Sequence, residues 1–230
     1  MAAYSETSFI IYITVLIILL SLYITLGTYF LRKFYQKKKK QGTEVKTDYL
    51  YLVHGAAIIL LGIGRLFLVI FDLITEFDSS NYAPNNFWIW KVGSCIQMAA
   101  LCLFLITMEK RILKGKDKYL LVILFLAVLT IGMVMIDINI ATNFIIIASI
   151  FTIFIPFAYL YVAIISEGEV RKKASYVFIG FSIFMIAALL TGEMIIDHIA
   201  QPLGLTRIDV HVIAYTIKIS CLIFFFLGFK

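Results

Sequence analysis

The sequence predicts an all-α membrane protein: a bundle of seven transmembrane helices, with the N-terminus outside and the C-terminus in the cytoplasm. Three observations carry that prediction. Of 230 residues, 62% are hydrophobic and 15% are charged, whereas soluble domains run near half apolar and a quarter charged. The apolar residues fall into runs at 8–31, 49–72, 87–108, 119–136, 141–165, 175–197 and 208–228, each near the ~20 residues that a helix needs to cross a ~30 Å hydrocarbon core. Positive charge, finally, gathers in every second connection.

The elements follow in order. Run 8–31 has no positive segment ahead of it and is too long for a cleavable signal peptide, so it is expected to remain as the first helix. Segment 32–48 then carries Arg32, Lys33, Lys37, Lys38, Lys39, Lys40 and Lys46. After the second helix, segment 73–86 holds Glu76 and Asp78 and ends in Tyr82-Ala-Pro-Asn-Asn86, which is turn chemistry. Segment 109–118 after the third helix carries five Lys or Arg. Asp137 to Asn143 reads as a tight outer hairpin between the fourth and fifth helices, and Pro156 should kink the fifth. Segment 167–174 carries three basic residues, and segment 198–207 carries Arg207 and the turn Gln201-Pro-Leu-Gly204. The basic connections place 32–48, 109–118, 167–174 and Lys230 on the cytoplasmic side. The seven runs use nearly the whole chain, so one helical bundle is expected over residues 1–230, with no room for a soluble domain.

Several function classes fall away. The tract Lys37–Lys40 is read as a topology determinant that touches anionic lipid head groups; a nucleic-acid surface would need a folded domain to shape it. Cys95, Cys102 and Cys221 lie within predicted spans and show no metal-ligand spacing. His54 lies near the inner face while His198 and His211 lie outside, so no zinc triad or haem pair is expected. No enzyme activity and no metal are expected. Gly55, Ala56, Gly62 and Gly64 suit close helix packing, and Trp88 and Trp90 are assigned to the interfacial aromatic belt.

Polar residues inside the spans point to a site. Residues 7, 11 and 18 apart on a helix lie within about 20° of one line. At such intervals the second helix places His54, Arg65 and Asp72. The sixth places Ser175, Ser182, Glu193 and Asp197. The seventh aligns Arg207, His211 and Lys218, with Tyr215 and Cys221 flanking and Asp209 opposite, and the third offers Asn86, Trp90, Gly93 and Gln97. Charge facing lipid is costly, so these stripes should face the bundle interior. Lys218, near the middle of the last span, is the deepest. The predicted ligand-binding set is Arg65, Asp72, Gln97, Glu193, Asp197, His211 and Lys218, around a polar pocket that opens outward over a dry floor. A structural alternative stands beside it, in which the same groups are buried pairs that fix helix register.

Two resemblances add to this reading. Phe87-Trp-Ile-Trp-Lys-Val-Gly-Ser94, continuing to Leu105-Ile-Thr-Met-Glu-Lys-Arg111, resembles the third helix of the seven-helix input domains of membrane histidine kinases. That resemblance implies a sensor or receptor of a small molecule. No kinase follows the last helix here, so signalling would need a cytoplasmic partner protein, through segments 33–48 and 109–118. The N-out topology and Lys218 in the seventh helix also resemble the microbial rhodopsins, which implies retinal bound to Lys218 as a Schiff base. Lys91 and Ser94 echo that family's third helix. The chain departs from it in having Ala214 four residues before the lysine, a non-acidic Ser94 and no Trp-x-x-Tyr-Pro pattern in the sixth helix. A transporter or channel for anions or protons is the remaining class.

Overall fold

The computed structural model describes residues 5–41, 49–78, 81–82, 86–113 and 119–230, without the side chains of residues 40, 41, 193, 194 and 197. The described secondary structure is helical throughout: α1 (Glu6–Gln41), α2 (Leu50–Ile74), α3 (Phe87–Arg111), α4 (Leu120–Val134), α5 (Ile138–Thr152), α6 (Phe154–Ile165), α7 (Gly168–Leu190), α8 (Glu193–Leu203) and α9 (Arg207–Phe229). Six spans are long and apolar enough to cross a membrane: Glu6–Lys39, Leu50–Ile74, Phe87–Arg111, Ile138–Ile165, Gly168–Leu190 and Arg207–Phe229. That set marks an integral membrane protein. α4 is apolar but has 15 residues, about 22 Å of helix.

Local chemistry sets the boundaries. α5 starts three residues earlier than the hydrophobic run, because the Asp137 carboxylate accepts from the Asn139 and Ile140 amides at 2.7 and 3.2 Å and caps it. The predicted fifth helix divides at Ile153, just ahead of Pro156, whose missing N–H and ring disfavour an unbroken helix there. The predicted sixth helix is corrected at both ends. It begins at Gly168, since Lys and Arg continue a helix readily once it leaves the apolar layer, and it stops at Leu190. Thr191 and Gly192 then turn the chain into α8, which Gly204 closes in a left-handed conformation (φ +64°). Leu205 N–H reaches back to Ala200 O at 3.0 Å and Gly204 N–H to Gln201 O at 3.2 Å, the Schellman pattern. Thr206 and Asp209 form a reciprocal capping box that starts α9. α1 runs past residue 31 to Gln41 and carries Arg32, Lys33, Lys37, Lys38 and Lys39 on helix. Lys46 and segment 114–118 of the basic connections, and residues 83–85 of the predicted turn, lie outside the described residues.

Packing joins α1 to α2 and α9, α2 to α3, α3 to α4, α5 and α6, α6 to α7, and α7 to α9. The result is a ring, α1–α2–α3–α5/α6–α7–α9, with α4 outside it against α3 and α5. Asp72, Trp90, His211 and Tyr12 share the end where α1 begins, here called upper; Lys230 lies at the lower end, where Lys33 Nζ donates to its carbonyl at 2.8 Å. Glycines let backbones touch along two seams. A Cβ on Gly55 would sit 2.9 Å from Gly27 O, and one on Gly64 would sit 2.8 Å from Gly93 O and 2.6 Å from Gln97 Cγ, approaches that only glycine admits.

Candidate functional site

The ring encloses a cavity of about 260 Å³ in its upper half, far more than one water needs. α2 lines it with Leu61, Arg65, Leu68 and Asp72, and α9 with His211 and Lys218. These positions recur at seven-residue intervals along each helix, so one face of each turns inward. From α3 come Trp90, Ser94 and Gln97, the last in the space that Gly64 leaves open. The far wall, from α5 and α7, mixes apolar side chains such as Ile145, Ile150, Met185 and Leu189 with the hydroxyls of Thr142, Ser149, Thr152 and Thr191.

The charged groups are interlocked. Arg65, 4% exposed, donates through Nη2 to Asp72 Oδ2 at 3.2 Å and to the Tyr215 hydroxyl. Its guanidinium also lies over the Tyr215 ring, 4.6 Å from the centroid, a cation–π placement. His211 Nε2 is 3.9 Å from the same Asp72 oxygen. Lys218 Nζ donates to Thr191 Oγ1 at 3.3 Å and lies 5.8 Å from the Tyr215 ring centre. Tyr12 of α1 completes the group, its hydroxyl 3.5 Å from that of Tyr215. Among the described residues one carboxylate, Asp72, thus shares the cavity with three basic side chains. Arg65 Nε and His211 Nδ1 are buried and have no hydrogen-bond partner among the described residues.

Below this network the bundle is filled with rings. Phe104 and Phe181 meet edge to face at 5.0 Å, Phe181 and Phe225 lie 4.7 Å apart, and His54 lies 3.8 Å from Phe229. Those contacts close the cavity one helical turn beneath Leu101 and Phe184.

Of the predicted set, Arg65, Asp72, Gln97, His211 and Lys218 converge on the cavity. Glu193 and Asp197 belong to α8, not to the helix that carries Ser175 and Ser182, so the stripe drawn through all four is broken at Thr191-Gly192; their side chains lie outside the described residues. His54 faces the interior with Arg65 and Asp72, as expected, but lies below the cavity in the aromatic floor, its Nδ1 2.6 Å from Leu50 O. Arg207 turns to the Tyr82 hydroxyl at 2.8 Å. The assignment of both tryptophans to the aromatic belt holds for Trp88, 58% exposed, but not for Trp90, which is 5% exposed, stacks on Phe87 and lines the cavity. Lys91 stands beside it and donates to Met135 O at 2.6 Å, just past the end of α4.

Sequence reasoning missed Tyr12, Tyr215 as a direct partner of Arg65, and the hydroxyls of α5. Thr142 and Ser149 are seven residues apart on one face of an apolar helix, a signal present in the sequence. Tyr12 gave none, because a tyrosine near a membrane surface is ordinary. Among the described residues no three of His, Cys, Asp and Glu converge to hold a metal. No family model, curated protein or solved structure matches this chain.

Proposed function

We propose that this chain is a seven-helix membrane receptor whose upper cavity binds a small ligand and whose lower face passes the change in packing to a cytoplasmic protein. The observation that carries the reading is the imbalance of the cavity among the described residues: three bases against the carboxylate of Asp72, with Arg65 Nε and His211 Nδ1 lacking partners there. Buried polar atoms without partners are costly, and a ligand oxygen would satisfy them. The aromatic floor supports a receptor over a channel, since a conduction path needs polar groups through the lower half.

The reading includes seven spans, N-terminus outside. α3 descends to the lower end and α5 starts at the upper end, where Lys91 holds Met135 O. α4 must therefore connect the two ends despite its length. Arg32, Lys33, Lys110, Arg111, Arg171, Lys172 and Lys173 all fall at the lower ends of their helices, which supports a cytoplasmic lower face.

The test is thermal unfolding in lipid nanodiscs against a panel of short- and long-chain carboxylates and phosphate esters. At least one compound should raise Tm in the native chain and not in an Arg65→Met/Asp72→Leu double variant, which removes the charges together. A panel with no such compound overturns the reading. A protease site at the N-terminus should be cut in intact cells, and one after Lys230 should not.

A second reading rests on Lys218, whose amine lines the cavity at mid-helix. Retinal condensed there would give a visible band that Lys218→Ala abolishes; no band after incubation with all-trans retinal removes it.

A further inference from the structure

Among the described residues the cavity is covered toward its upper face but not toward the side. Gly192 and Ile195 form part of its lining where the chain turns into α8. α8 is fastened to α9 by the buried cluster of Ile196, Ala200 and Val210. On the other side, Tyr12 and Phe77 pack edge to face at 5.3 Å, and Phe77 lies 6.1 Å from His211.

The wall between α5 and α7 is different. α7 packs on α6 and α9, and α5 meets it at its lower end, where Thr152 Oγ1 lies 3.6 Å from Met185 Sδ. Above that point the break at Ile153 lets α5 diverge. Ile150 and Leu189 line the cavity and are 53% and 54% exposed, unlike the buried residues of α2 and α9 on its polar side. A residue that faces both the cavity and the surroundings is the rim of an opening, and this rim lies within apolar spans, at the level of lipid chains.

The two sides of the cavity also differ in chemistry. Arg65 and Asp72 on α2 and His211 and Lys218 on α9 are the polar side. The opening lies across the ring from α2, between Ile150 of α5 and Leu189 of α7. On the reading of the chain as a ligand-binding receptor, we infer that the ligand is a single-chain amphiphile with an anionic oxyacid head, drawn sideways from the upper leaflet of the bilayer through the α5–α7 gap. Its head meets Arg65, His211 and Lys218, which have donor capacity left over from Asp72 and Thr191. Its chain leads back past Ile150 and Leu189 into the lipid. The cavity of about 260 Å³ falls just below the usual range of ligand pockets (~300–1,000 Å³), enough for the head and the first part of the chain, with the remainder left in the bilayer.

The two tryptophans supply the readout, because Trp90 lines the cavity and Trp88 faces outward. In zwitterionic nanodiscs, the Trp88→Phe chain is titrated with dodecanoate brominated along its chain. Trp90 fluorescence should be quenched to saturation at low mole fraction. In the Trp90→Phe chain, Trp88 should be quenched only in proportion to the probe in the bilayer. Brominated dodecanol, which lacks the charge, should give no saturable phase, and Lys218→Met should weaken the dodecanoate phase about tenfold or more, as loss of a charge-assisted hydrogen bond does. A lysophosphatidate of the same chain length, used as competitor, tells a phosphate head from a carboxylate one. Ile150→Trp, read by competition with an unlabelled chain, should slow binding while leaving thermal stability unchanged, since that side chain is half exposed at the rim and has room for a larger ring. Equal, unsaturated quenching of both tryptophans overturns the inference. If acetate or inorganic phosphate protects Trp90 from an aqueous quencher while dodecanoate does not bind, the amphiphile is wrong but the receptor reading survives; if nothing binds in an Arg65- or Lys218-dependent way, both fail.

Discussion

In the upper half of the bundle buried side chains surround a cavity, whereas in the lower half they fill it. The helices are the same ones, and both halves draw on large aromatic residues. Above, Tyr12, Tyr215 and Trp90 each carry a polar atom and stand around Arg65, Asp72, His211 and Lys218. Below, Phe104, Phe181, Phe225 and Phe229 carry none and interlock. Lipid solvates a phenyl ring about as well as protein does, so the lower half is held by packing and not by transfer from water. The upper half is held by charge pairing that lipid cannot replace. On the proposed reading, the difference separates a part that meets a ligand from a part that holds the helices in place.

The comparison can be broken in four ways, by unfolding in lipid with ligand binding followed in parallel. Arg65→Ala leaves Asp72 buried without its guanidinium and should cost the most, about 3–5 kcal/mol, while Arg65→Met/Asp72→Leu recovers most of the stability and none of the binding. Phe225→Ala should cost about 2 kcal/mol. That is less than the ~3–5 kcal/mol of a soluble core, since only the packing share is lost, and binding in the upper cavity should persist. Gly64→Val forces α2 from α3 at a backbone contact and should cost about 1–2 kcal/mol. It should also weaken binding, because Gln97 occupies the space it would fill. Thr191→Val removes the hydroxyl partner of Lys218 and should cost about 0.6 kcal/mol, the usual worth of a hydrogen bond between membrane helices. If Phe225→Ala proves costlier than Arg65→Ala, the two halves are not held by different forces and the comparison fails.

The spans were legible because hydrophobicity over ~20 residues is a strong, local signal. Arg65, Asp72, His211 and Lys218 were legible for a related reason: a charged residue in such a run must face inward, and helical spacing says which ones share a face. The prediction erred where apolarity and helicity part company. Arg171, Lys172 and Lys173 read as a loop by hydropathy yet sit on α7. Thr191-Gly192 reads as continuous span yet ends that helix, and so Glu193 and Asp197 were placed on the wrong element. Trp90 was assigned to the lipid interface because a ring near a helix end suits either side, and only its neighbours choose.

The sequence by itself determined that the chain is helical, that it enters the membrane and which faces of α2 and α9 must be hidden, since each follows from the cost of putting a charge or an unpaired backbone group in hydrocarbon. Tertiary structure decided what those faces meet: Tyr215 against Arg65, His211 against Asp72, and Thr191 against Lys218. Such pairings join residues as far apart as Arg65 and Tyr215, and they depend on helix crossing and on the breaks at Ile153 and Gly192. No periodicity within one helix encodes either, because a helix's own repeat says which way a side chain faces and nothing about what stands across from it.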